Sequence, residues 1–254
     1  MSGRLAVIGL GPGDARYLTQ EALEALQAAQ GLFGYGPYLD RVPERAGQAR
    51  HASDNREEGA RAEAALRHAA SGAHVAIVSG GDPGVFAMGA SVLEAVEAGP
   101  QDWREIDIAI VPGITAMLAV AARAGAPLGH DFCALSLSDN LKQWELIERR
   151  LDAAASTGFV IALYNPISRA RPWQLGKAFT LLSRHLPSAT PVIFGRAVGR
   201  PDESVMVTSL AAAADAPADM ATLIIVGSRE TRLIAREGQS PLVYTPRAVE
   251  GAMA

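Results

Sequence analysis

The sequence predicts an α/β fold in two α/β domains. The N-terminal domain spans 1–112 with a mostly parallel sheet, and the C-terminal domain spans 113–254 with a mixed sheet. Three observations carry this prediction. Through the first half, short apolar runs alternate with stretches of helical spacing, the pattern of successive βαβ units. In the second half the runs at 191–196, 204–208 and 222–226 have little helix-forming sequence between them, which favours antiparallel neighbours. Pro112-Gly113, a strong breaker, lies between the two patterns.

The elements follow in order. Residues 4–8 form a buried strand that runs into a glycine-rich turn, and 19–29 form a helix with Leu23 and Leu26 on its apolar face. A weaker strand at 31–35 precedes a helix over 56–71, which Gly72 stops. A strand at 74–78, a helix at 85–98 and a strand at 106–111 complete the first half. The second half opens with a helix at 115–124, a strand at 132–137, a helix at 143–154, a strand at 159–164 and a helix at 173–185. The three late strands come last.

Composition narrows the function classes. A chain of 254 residues, 49% hydrophobic, buries an adequate core without staples. A net charge of -4 argues against a general basic face, so no nucleic-acid partner is expected. Cys133 is the only cysteine, which rules out an internal disulfide. No run reaches the roughly 18 apolar residues of a membrane span, and the first apolar run is too short for a secretion signal. A cytoplasmic protein with no membrane partner is expected. His51, His68, His74, His130 and His185 lack metal-ligand spacing, so no protein-bound metal is expected. Met88, Met117, Met206 and Met220 read as core filler.

Two Gly-Pro loops carry the chemistry. GLGPGD at 9–14 follows the first strand as a dinucleotide turn would, but Asp14 stands where the third glycine belongs. A carboxylate there repels a pyrophosphate, and Pro12 removes a backbone donor. The loop is therefore built for something other than phosphate, or is a plain tight turn. GGDPG at 80–84 sits at the carboxyl end of a strand, where open α/β sheets bind ligands. Asp82 there suits ribose hydroxyls or a cation, or else caps the next helix. VPGITA at 111–116, LYNPIS at 163–168 and FGRAVG at 194–199 share the style, and such a ring of turns suits a neutral or zwitterionic ligand.

The ordered set GLGPGD, GGDPG, PGITA, LYNP and ATLIIVG resembles the tetrapyrrole methyltransferases, S-adenosylmethionine enzymes that act on uroporphyrinogen and corrin precursors. The resemblance runs from Leu5 to about Arg232. LSLSDNL at 135–141, YNPISRARPWQL at 164–175 and IFGRAVGRPDE at 193–203 are most similar to the C17-methylating members of cobalamin synthesis. The resemblance implies a cofactor, S-adenosylmethionine, in the cleft between the domains. It implies that Gly81, Asp82, Val85 and Phe86 hold its methionine and ribose, joined by Thr115 and Ala116, while Tyr164, Asn165, Ala197, Thr222 and Leu223 enclose adenine. It places Gly11 and Pro12 on the side of a small-molecule tetrapyrrole substrate, and it implies a homodimer. Such substrates carry many carboxylates, for which Arg169, Arg171, Arg196 and Arg200 are the candidate partners, unless they are solvated surface arginines. Ring contraction needs proton transfer, for which Asp14, Ser138 and Asp139 are the catalytic candidates, with His130 a further one.

Overall fold

The computed structural model describes residues 3–248. The chain divides into two compact units, Met1–Ala116 and Met117–Ala254. In the first unit the chain order is β1 (Arg4–Gly9), α1 (Gln20–Ala28), β2 (Gly31–Tyr35), α2 (Gly36–Leu39), β3 (Ala49–Ser53), α3 (Glu58–Ala70), β4 (His74–Ser79), α4 (Met88–Ala98) and β5 (Asp107–Val111). The five strands pair in the order β3-β2-β4-β1-β5, and every pairing is parallel.

The apolar runs of β1 and β4 are continuous because both faces of this sheet are covered. Leu5, Val7, Val75 and Ile77 pack with Ala62, Leu66, Met88 and Val92 of α3 and α4. Ala6, Ile8, Ala76 and Val78 pack on the opposite face with Ala22 and Leu26 of α1. Leu23, expected beside Leu26, is 37% exposed, so the buried stripe of α1 is narrower than its sequence implies. Thr19 caps α1 through a bond from the Ala22 amide at 3.0 Å. Helix α4 begins three residues later than expected. The Gly89 amide donates to the Pro83 carbonyl at 2.8 Å, which draws 85–87 out as loop.

The second unit contains α5 (Ala116–Ala124, whose first residue belongs to the other unit), β6 (Gly125–Ala126), β7 (Phe132–Ser136), α6 (Trp144–Ser156), β8 (Val160–Tyr164), α7 (Gln174–Leu182), β9 (Pro191–Arg196), β10 (Ser204–Ser209), β11 (Thr222–Val226), β12 (Arg232–Ile234) and β13 (Leu242–Tyr244). Its main sheet runs β10-β9-β11-β8-β7, antiparallel except for the β7–β8 pair, as the mixed sheet of the sequence reading requires. One face packs on α6 and α7 through Ile147, Leu151, Phe179 and Leu182. The other receives α5, and only a glycine fits at Gly195, because a Cβ there would lie 2.2 Å from a Val120 methyl. A small sheet, β12-β13-β6, closes this unit. Met88 and Met117 are core residues as expected, but Met206 and Met220 are 37% and 53% exposed. Among the described residues, no helix is long and apolar enough to cross a membrane.

Candidate active site

In the first unit, the loops leaving β1, β4 and β5 meet at the carboxyl edge of the sheet. They touch through backbone. The Gly11 amide donates to the Gly81 carbonyl at 3.1 Å, and the Gly81 amide returns a bond to Gly11 at 2.9 Å. The third loop is closer still: a Cβ on Gly113 would lie 2.3 Å from the Gly81 oxygen. Gly11 and Gly81 have φ of 64° and 66°, values that favour glycine. The repeated glycines of both motifs therefore fit three turns together.

Asp82 fastens this junction. One carboxylate oxygen accepts the Gly84 amide at 2.8 Å, and the other accepts the Gly113 amide at 3.1 Å. It does not cap α4, whose N-cap is Ala87. Its charge draws two backbone N–H groups together beneath the loop. Behind it, a Cβ on Gly80 would strike the Tyr38 ring at 2.7 Å, so this glycine admits the aromatic. Val85 is half-buried, Phe86 is 51% exposed, Thr115 is buried and Ala116 is half-buried.

GLGPGD is shaped by a residue that the sequence did not single out. Nη2 of Arg41 donates to the carbonyls of Leu10, Gly11 and Gly13 at 2.7, 3.0 and 2.9 Å. At the far end of the motif, Asp14 caps the short helical turn Ala15–Tyr17. Its carboxyl accepts the Arg16 amide at 2.9 Å and pairs with the Arg16 guanidinium at 3.3 Å. These bonds, the backbone one foremost, hold Asp14 below the usual carboxylate range. A carboxylate so stabilised is a weaker base than a free one.

At the carboxyl ends of β7 and β8 in the second unit, side chains take over. Asn165 Nδ2 donates to the Ser136 hydroxyl at 3.0 Å, and the Ser138 amide donates to the same oxygen at 3.3 Å. Arg171 is 7% exposed and donates to the Asn165 carbonyl at 3.0 Å. From there its guanidinium holds the LYNP turn. The Tyr164 hydroxyl accepts the Met117 amide at 3.2 Å. Asp139 accepts from Nε2 of Gln174 at 3.1 Å, and Gln174 is 1% exposed.

Beside the β9 turn, Arg196 pairs with Asp219 at 2.8 Å and Asp202 at 3.0 Å. The Arg196 bond lowers the Asp202 pKa. Burial pushes the Asp219 carboxyl up, but bonds from Arg196, Thr222 and Ala221 outweigh it and bring the pKa below the usual value. The two carboxylates match the guanidinium charge through Nε and Nη1. Thr222 and Leu223 are buried in β11. Arg169 and Arg200 are exposed. His130 accepts the Asp131 amide on Nδ1 at 2.7 Å, a local turn contact.

Among the described residues, the non-glycine positions with positive φ are Phe86, Asn165 and Ala197, at 51°, 51° and 50°. All three belong to the cofactor set inferred from the sequence. Backbone strain of this kind persists where surrounding structure over-determines it, as it does at ligand sites. Sequence inspection missed Arg41, Tyr38, Ser136, Gln174 and Asp219, because their importance lies in which backbone groups or partners they reach.

The family model described as Tetrapyrrole (Corrin/Porphyrin) Methylases matches residues 4–214. A precorrin-3B C(17)-methyltransferase of Sinorhizobium sp is 62% identical over 252 residues, 99% of this chain and 99% of its own. A probable cobalt-factor III C(17)-methyltransferase of Salmonella typhimurium is 41% identical over 244 residues, 96% of this chain and 98% of its own. The crystal structure of the methyltransferase CobJ superposes with a TM-score of 0.90 at 47% identity, over 96% of this chain and 100% of that one.

Proposed function

This chain belongs to the tetrapyrrole (corrin/porphyrin) methylases, and from that premise we propose that it methylates precorrin-3B at C17 with contraction of the ring, giving precorrin-4 in cobalamin biosynthesis. The observation that carries the choice of substrate is the end-to-end identity of 62% to the Sinorhizobium precorrin-3B enzyme, against 41% to the Salmonella cobalt-factor III protein. We further propose a cytoplasmic homodimer whose partner is the small-molecule tetrapyrrole, with no nucleic acid or membrane bound.

The residues present fit S-adenosylmethionine, which supplies an electrophilic methyl group on a sulfonium. Neither Gly-Pro loop is a phosphate cradle: the carbonyls of the first are turned to Arg41, and Asp82 draws the amides of Gly84 and Gly113 to itself. Gly81, Asp82, Val85, Phe86, Thr115 and Ala116 are assigned to the methionine and ribose. Tyr164, Asn165, Ala197, Thr222 and Leu223 are assigned to the adenine. Gly11, Pro12, Arg169 and Arg200 are assigned to the tetrapyrrole, with Arg171 and Arg196 fastening the adenine-side turns.

The chain supplies no attacking nucleophile in this reading, because the ring carbon is electron-rich. What the residues contribute is alignment and exclusion of water. Proton transfer during contraction falls to Ser138 and Asp139 ahead of Asp14. Gln174 orients the Asp139 carboxylate, whereas Asp14 is committed to Arg16.

The test is incubation with methyl-labelled S-adenosylmethionine and either precorrin-3B or cobalt-factor III, followed by mass analysis of the product. The expected result is label in a ring-contracted product from precorrin-3B. Label transferred only to cobalt-factor III would overturn the substrate, and binding of NAD or ATP with none of S-adenosylmethionine would overturn the activity.

A further inference from the structure

Residues 39–50, LDRVPERAGQAR, carry three arginines. In the structure all three reach backbone carbonyls, Arg41 and Arg50 half-buried and Arg45 exposed. Arg50 donates to the Leu39 carbonyl at 2.8 Å and also bonds Val42, so it fixes the turn on either side of Arg41. Arg41, half-buried, then gathers the carbonyls of Leu10, Gly11 and Gly13 on one nitrogen. Arg45 makes a comparable clamp elsewhere, on the carbonyls of Gln27 and Ala29 at the end of α1.

The arrangement has an electrostatic consequence for GLGPGD. Three carbonyl dipoles of the loop are turned toward a cation, and that of Gly11 also accepts the Gly81 amide. The Gly11 amide is engaged by Gly81, and Pro12 has no N–H, so the loop's conformation is fixed at both ends. Half-burial weakens solvent screening of the Arg41 charge. A polycarboxylate approaching the loop meets these three carbonyls already engaged, a positive charge behind them, and the Asp14 carboxylate paired with Arg16.

We propose that Arg41 is a positioning residue for the tetrapyrrole: through GLGPGD it sets the shape and the potential of the substrate-side loop. The proposal rests on the assignment of that loop to the tetrapyrrole. Because one nitrogen takes all three carbonyls, an ammonium can stand in for it, which makes lysine a partial mimic and methionine a null.

The experiment compares Arg41→Met, Arg41→Lys and Arg45→Met in the full chain. It measures KM for precorrin-3B, Kd for S-adenosylmethionine by calorimetry, and the melting temperature. Arg41→Met should raise the tetrapyrrole KM by roughly tenfold or more, the size expected for losing charged hydrogen bonds, with the donor Kd nearly unchanged. Arg41→Lys should recover much of that loss. Arg45→Met should lower the melting temperature without moving KM. An unchanged KM in a folded Arg41→Met protein overturns the proposal. So does a KM shift that Arg45→Met reproduces for the same loss of stability, since Arg41 would then be structural only. A weakened donor Kd with unchanged KM instead overturns the loop's assignment to the substrate, and with it this inference.

Discussion

In the first unit the loops that leave β1, β4 and β5 are joined backbone to backbone, with glycine at each contact and one carboxylate across them. In the second unit the turns after β7, β8 and β9 are held by side chains: Ser136 with Asn165, Arg171 on a carbonyl, and Arg196 between two aspartates. The two solutions differ in tolerance. The backbone junction leaves no room for a Cβ at Gly9 or Gly113 and holds Gly11 and Gly81 at positive φ, so its residues can hardly change. A side-chain network loses one bond at a time.

The largest expected effect follows from that contrast. Gly113→Ala puts a methyl 2.3 Å from the Gly81 oxygen and 2.9 Å from backbone atoms of Gly9. Since the obstacle is backbone on two sides, the loops must part. A loss of about 3 kcal/mol in urea unfolding is expected, together with loss of S-adenosylmethionine binding. A variant with unaltered stability and affinity would show that the three loops are not a rigid junction.

The same contrast explains what the sequence disclosed. Glycine and proline are conspicuous in a sequence, and a tight backbone junction needs them, so GLGPGD, GGDPG and VPGITA, the loops of the first unit's junction, are legible there. The alternation of apolar runs gave the parallel sheet, because β1 and β4 must be apolar on both faces. The short strand Ala49–Ser53 escaped notice because ARHAS has neither alternation nor an apolar run, and it earns its place by pairing with β2. The arginines were the hardest to read. Arg41, Arg171 and Arg196 have the same composition signal as any surface cation. Only the fold reveals that the first reaches three carbonyls, the second is buried and the third is already paired.

Asp82 sharpens the comparison, being a side chain that serves a backbone junction. Asp82→Ala leaves the amides of Gly84 and Gly113 without their acceptor, at an expected cost of about 1–2 kcal/mol. Donor affinity should fall further than stability alone accounts for, because the loop that opens is the proposed binding loop. Equal affinity in calorimetry would separate the clamp from the ligand. Arg196→Ala is the counterpart in the second unit. Its ion pairs are exposed, so little stability should be lost. Release of Asp219 should loosen the turn at Ala197, which has positive φ, and weaken S-adenosylmethionine severalfold while the tetrapyrrole KM stays constant. A rise in that KM with constant donor affinity would return Arg196 to the substrate.

The smallest effect separates the units by pH. In the first unit His51 stacks on Phe33 at 4.3 Å and lies 5.1 Å from His68, ring centre to ring centre. Burial, and then the neighbouring His68, lower the His51 pKa. The unfolded chain therefore binds more protons than the folded one between that lowered value and the ordinary imidazole value of about 6.5. Stability from this group is complete above the ordinary value and is lost as pH falls through the folded one. The perturbed carboxyls of the second unit, Asp202 and Asp219, are also lowered, but from the carboxylate range, so their contribution persists until far more acidic pH. Urea midpoints should therefore begin to fall just below neutrality. His51→Phe, which keeps an aromatic against Phe33, should flatten that limb, and Arg196→Ala should leave it in place. A limb unchanged by His51→Phe would locate the titrating group outside this cluster. One abolished by Arg196→Ala would assign it to the side-chain network of the second unit.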